Sequence, residues 1–146
     1  MNGPHARPTA AEVSRLVRSA RAARRRAYVP YSHFPVGAAV LAASGAIISA
    51  CNVENASYGL SICAERAAIH RAVADGHRRL PAVAVATGSP AAMPCGACRQ
   101  VMQEFGVRSV IVAGARGAPR TFRLADLLDH PFGPADLRES APHRRR

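Results

Sequence analysis

A chain of 146 residues, 49 % of them apolar, is long enough for one domain with a sizeable core. Tryptophan is absent and aromatics make up only 5 %, so that core must be built from Ala, Val, Leu and Ile. The net charge of +11 would suit phosphate-bearing partners, but its placement argues against them. Eleven of the twenty basic residues, all arginines, and only three of the nine acids lie outside residues 27–135, which leaves the middle of the chain at +3. The excess is read as a solvated helix face and two flexible tails, 1–8 and 138–146, flanking a single domain, and no nucleic-acid partner is expected. No stretch has the apolar length of a signal peptide or a membrane span, so no membrane association is expected and the cytoplasm is the expected compartment. Thiols stay reduced there, which turns a CxxC pair toward metal binding or catalysis.

Thr9 precedes a run with Glu12 three residues on, a capping-box start, and Val13, Leu16, Val17 and Ala20 line one face of the predicted first helix. A proline-punctuated loop, YVPYSHF, follows. PVGAAVLAASGAIISACNV reads as a hairpin of two apolar strands around ASGA. After the turn-rich ENASYGLS, the run ICAERAAIHRAVADG predicts a helix ended by Gly76. Residues 82–87, AVAVAT, form a continuous apolar strand of the kind buried on both faces. A third helix is predicted from about Cys95 to Phe105, stopped by Gly106, and RSVIVAG is another buried strand. The helical crossover between these two strands predicts that they run parallel. ARGAP is short enough only for a hairpin, so the strand around Arg120–Phe122 should turn back antiparallel, and RLADLLD should close as a short helix. The sum is an α/β domain, a mixed five-stranded sheet with helices on both faces.

Both cysteine sites open helices. Cys63 starts one, and Cys95 and Cys98, three residues apart behind Pro94, start the other with both thiols on one side. A helix N-terminus carries unpaired N–H groups and partial positive charge, which favours the thiolate. Two such starts facing each other would offer three thiolates to one zinc and leave a fourth position for water, the arrangement of catalytic rather than structural zinc. Glu65, two residues from Cys63, is placed to act on that water. A ligand, any residue and Glu, followed downstream by P-C-x-x-C, is the pattern of zinc deaminases.

With CNVENASYG, CAERAAI and PCGACRQVMQEFG in this order and spacing, the chain resembles the small homo-oligomeric cytidine deaminases from about residue 28 to residue 137. The resemblance implies a three-layer α/β/α fold and zinc-dependent hydrolytic deamination of cytidine and deoxycytidine. It also implies a homo-oligomer, expected to be a tetramer, whose sites are completed by neighbouring subunits. It assigns Cys63, Cys95 and Cys98 as Zn²⁺ ligands, Glu65 as the proton shuttle and Arg66 as a donor to a ligand thiolate. It places Asn52 and Glu54 on the ribose hydroxyls, Phe34 against the pyrimidine, Tyr58 in the ribose loop and Phe132 in the neighbour's site. Met93 departs from the pattern, where a small hydroxyl residue commonly precedes Pro-Cys.

Other readings are weaker. Cys51 is expected to be an inert packed thiol, and none of the six histidines falls at ligand spacing. A thiol–disulfide switch at Cys95 and Cys98 would leave Cys63 and Glu65 unexplained. The alternative functions are a deaminase of a modified cytosine nucleoside, a nucleic-acid deaminase using the basic ends, and a non-catalytic zinc protein.

Overall fold

The computed structural model describes residues 7–88 and 90–139. Helix α1 (Ala10–Arg24) opens with the expected capping box, in which the Glu12 N–H donates to the Thr9 hydroxyl at 3.2 Å and the Thr9 N–H donates to the Glu12 carboxylate at 2.7 Å. Strands β1 (Gly37–Leu41) and β2 (Ile47–Cys51) form the hairpin, with Gly45 in a left-handed turn position (φ 89). A 3₁₀ turn (Tyr58–Leu60) leads to α2 (Ala64–Ala74), then β3 (Ala82–Ala86), α3 (Gly96–Glu104), β4 (Ser109–Ala113) and β5 (Arg120–Arg123). The sheet order is β2-β1-β3-β4-β5. As expected, β1 and β2 are antiparallel, β3 and β4 parallel, and β4 and β5 antiparallel, while the antiparallel pairing of β1 with β3 joins the hairpin to the rest of the sheet.

The end of the chain differs from its expected form. RLADLLD makes only a 3₁₀ turn, Leu124–Asp126, with Leu124 buried. Beyond it the Leu128 N–H still bonds the Leu124 carbonyl at 3.0 Å, and the chain leaves the helical path by His130, which has a left-handed φ of 44 before Pro131. An unpredicted helix α4 (Pro134–Glu139) follows, with Pro at its first position and the Gly133 N–H donating to the Asp136 carboxylate at 2.7 Å. Of the expected tails, residues 1–6 and 140–146 lie outside the described residues, while 138 and 139 belong to α4. No described helix is long and apolar enough to cross a membrane.

Alternation along the strands sorts the core into two layers. Ala39 of β1, Ala82, Ala84 and Ala86 of β3, and Ala113 of β4 face Leu16, Val17 and Ala20 of α1. Val40, Val83, Val85, Val110 and Val112 face the opposite way, toward Ala68, Ile69 and Ala72 of α2 and Cys98 and Met102 of α3. AVAVA is thus apolar throughout because both faces are buried, and its alanines let α1 approach closely. The approach is tightest at Gly37, where a Cβ would lie 2.0 Å from the Ala20 carbonyl oxygen and 2.5 Å from the Arg24 nitrogen. Both are backbone atoms in a packed helix, so neither can move aside. Gly37→Ala should therefore cost about 3 kcal/mol or more and lower the Tm by roughly 10 °C, read by thermal unfolding beside wild type.

Candidate active site

Helices α2 and α3 lie on the same face of the sheet, and Cys63 and Cys95 occupy their N-cap positions in extended conformation (φ −69, ψ 149 and φ −68, ψ 166). Cys98 is the third residue of α3, where its side chain shares the first turn with the N-cap. The Cys63 and Cys95 sulfurs are 3.9 Å apart, those of Cys95 and Cys98 3.5 Å, and all three lie within 4.8 Å of one another. A tetrahedral zinc with Zn–S bonds of about 2.3 Å sets its sulfurs about 3.8 Å apart, so the triad fits the metal. The thiols are not joined to one another.

Charge at the triad is uneven. Hydrogen bonding from the Cys98 thiol and from the Arg66 guanidinium brings Cys63 down to about 5. The Cys63 thiolate, together with burial and the nearby Glu65 carboxylate, pushes Cys98 up. A cation among the three sulfurs would let all of them ionise at this spacing. Arg66 supplies part of the compensation, with Nη2 3.9 Å from the Cys63 sulfur, while its buried Nε–H has no hydrogen-bond partner among the described residues. Glu65 is only 4 % exposed. Burial first, and the Cys63 thiolate second, raise its pKa above the ordinary carboxyl value.

The residues expected around the substrate hold one another in place. Asn52 follows β2 and grips the loop carrying Phe34 from both ends of its amide. Its Nδ2 donates to the Phe34 carbonyl at 3.0 Å and its Oδ1 accepts the Val36 N–H at 2.8 Å. Glu54 accepts the N–H groups of Tyr31 and Ser32, at 2.9 and 3.2 Å, and the Ser32 hydroxyl. These bonds, the Ser32 hydroxyl first, hold its carboxyl below the usual range. Phe34 is 48 % exposed and Tyr58 74 %, the latter meeting Tyr31 edge to face with centroids 5.7 Å apart. Phe132, 59 % exposed, lies on the segment between the 3₁₀ turn and α4. Met93 is partly exposed, and Cys51, half-buried in β2, stands outside the triad. No histidine joins a metal-capable cluster among the described residues.

Three supporting residues escaped the sequence reading. Ser32 orients Glu54, and Arg24 of α1 donates from Nε to the Pro35 carbonyl at 3.0 Å, fastening the Phe34 loop to the opposite layer. Arg99 donates to the Pro94 carbonyl at 2.8 Å, closing the turn that holds Cys95. Only Arg99 had a signal, its position directly after Cys98. The others depend on contacts distant in sequence.

Three protein sulfurs leave a tetrahedral zinc one open position, which places the site in the class of catalytic zinc centres. Residues 11–114 match the family model described as the cytidine and deoxycytidylate deaminase zinc-binding region. The chain is 44 % identical over 133 residues to a cytidine deaminase of Sporosarcina psychrophila, covering 89 % of this chain and 98 % of that one. It is 46 % identical over 112 residues to the cytidine deaminase of Mycobacterium tuberculosis H37Rv, covering 76 % and 82 %. The crystal structure of a cytidine deaminase from Burkholderia pseudomallei superposes with a TM-score of 0.78 at 45 % identity, over 82 % of this chain and 98 % of that one. The chain belongs to the cytidine deaminase family, with zinc as its cofactor.

Purified protein should carry one zinc per chain by metal analysis. A Cys95→Ala Cys98→Ala double variant should carry none, because one thiolate alone cannot hold the ion.

Proposed function

We propose that this chain hydrolyses cytidine and deoxycytidine to uridine and deoxyuridine with release of ammonia, as one catalytic domain of the cytoplasm serving pyrimidine salvage. The observation that carries the reading is Glu65, a buried carboxyl with a raised pKa, two residues from one thiol of a zinc-fitting triad. Cys63, Cys95 and Cys98 hold the zinc, and when bound it supplies Lewis acidity that lets a water deprotonate near neutral pH. Glu65 takes a proton from the attacking water and delivers it to ring N3, making C4 more electrophilic. The water oxygen bonds to C4, Glu65 takes the remaining proton from that oxygen and passes it to the amino nitrogen, and ammonia leaves as the C4–N bond breaks and C4=O forms. A carboxyl whose pKa is lifted by burial can both take and return that proton. Arg66 offsets the negative charge that three thiolates place around the metal and so preserves its acidity.

Phe34 packs on the pyrimidine, and Tyr58 lines the sugar side. Asn52 and Glu54 serve the loop and the ribose together. One Nδ2 proton of Asn52 remains after the Phe34 carbonyl is met, and a carboxylate with about four lone-pair positions keeps one after Tyr31 and Ser32 have taken three. Each matches one hydroxyl of a free nucleoside, which supports a small-molecule substrate over a polynucleotide. Exposed Phe34, Leu60, Tyr58 and Phe132 support self-association, proposed as a tetramer in which Phe132 covers a neighbour's pyrimidine. The reading is tested with a panel of cytosine nucleosides followed by the absorbance change of deamination. Turnover of cytidine and deoxycytidine supports it, and turnover confined to a ring-modified nucleoside or to oligonucleotides would replace it.

Glu65→Gln should lose on the order of a hundredfold to ten-thousandfold in kcat while keeping its zinc and its Tm. Phe132→Ala should raise KM and lower kcat/KM without loss of zinc. When these two variants are dissociated and reassembled together, activity should return in mixed oligomers, where an intact Glu65 meets a neighbour's intact Phe132. Confirmed subunit exchange without recovery would refute the shared site.

A further inference from the structure

Phe132 sits where regular secondary structure gives no support. The stretch from Leu127 to Gly133 follows a single 3₁₀ turn, passes through the left-handed His130 and contains Pro131. An aromatic ring 59 % exposed on such a stretch would sample many positions, and ordering it only on contact would weaken binding.

Two side chains of α3 hold this stretch at its ends. Arg99 donates from Nη1 to the Leu127 carbonyl at 2.7 Å. Gln100 donates from Nε2 to the carbonyl of Phe132 itself at 2.8 Å. A carbonyl can be met only by the nitrogen of the Gln100 amide, so chemistry fixes the orientation of that amide. Both clamps rise from the helical turn that begins at Cys98, so the helix that carries two of the thiols also steadies the aromatic segment.

We propose that Gln100 is a positioning residue for Phe132, fixing its backbone so that the ring is already ordered when it meets the pyrimidine of a neighbouring subunit. The inference rests on the reading of Phe132 given above and adds what holds it there. Gln100 makes no contact with the reacting atoms in this scheme. Its loss should weaken substrate binding through the disordering of Phe132, leaving the proton transfers at Glu65 as they were.

The test is a double-mutant cycle of wild type, Gln100→Met, Phe132→Ala and the double variant, with KM and kcat for cytidine, zinc content and oligomeric state measured for each. Methionine keeps the length of the side chain and removes the donor. Gln100→Met should raise KM several-fold, up to about tenfold, with kcat within about twofold of wild type and zinc unchanged. In the Phe132→Ala background the same substitution should change KM little, because a positioning residue has nothing left to position. Gln100→Lys, which restores a donor of similar reach, should recover most of the affinity. Gln100→Glu, of the same size without the donor, gives the same comparison should Gln100→Met fail to fold. A raised KM in Phe132→Ala with none in Gln100→Met, or effects that multiply in the double variant, would overturn the positioning role and leave the reading of Phe132 standing. An unchanged KM in Phe132→Ala would remove that reading itself.

Discussion

The sulfurs of Cys63 and Cys95 meet at 3.9 Å only because α2 and α3 begin at the same end of the same face of the sheet. Each helix start contributes an N-cap thiol and a local positive field that favours thiolate. The thiolates offset the repulsion between two such positive ends, and a divalent cation among them offsets the repulsion between the thiolates in turn. The metal site is thus a product of layer packing. The valines of β1, β3 and β4 form the floor on which the two helices rest, and the alanines on the reverse side draw α1 tight against that floor.

Around that centre, charge is balanced by a few groups at short range. Arg66 faces the Cys63 sulfur from one turn further along α2. Glu65 is buried beside the same thiolate, and both circumstances favour its protonated form. A carboxyl in water would stay ionised and hold its proton too weakly to return it to a leaving group. Burial therefore sets the chemistry of Glu65 as much as its place in the chain does.

The loops of the site owe their order to side chains that bond to backbone. Asn52, Glu54 and Arg24 together hold the segment from Tyr31 to Val36, and Arg99 and Gln100 hold the stretch that ends in Phe132. Aromatic rings left exposed on such fixed loops are costly for an isolated chain and suited to contact with substrate or another subunit. Arg24 also reaches the Phe34 loop from the far layer of the fold, so packing at Gly37 and placement of Phe34 are mechanically linked.

Much of this was legible along the chain. The capping box at Thr9, the apolar strand AVAVA, the helix starts at Cys63 and Cys95, and the parallel crossover between β3 and β4 each follow from local pattern, because hydrophobic period, caps and loop length act over a few residues. The spacing of Cys63, Glu65, Cys95 and Cys98 likewise announced a metal site. The short helix expected at RLADLLD is a single 3₁₀ turn, Leu124–Asp126, and the chain then passes through the left-handed His130 before Pro131. Only the tertiary structure showed that Asn52 and Glu54 brace the Phe34 loop, that Arg24 crosses to Pro35, and that Gln100 holds Phe132. Those bonds join residues from 11 to 32 positions apart, and no local pattern encodes a distance that packing of the layers alone determines.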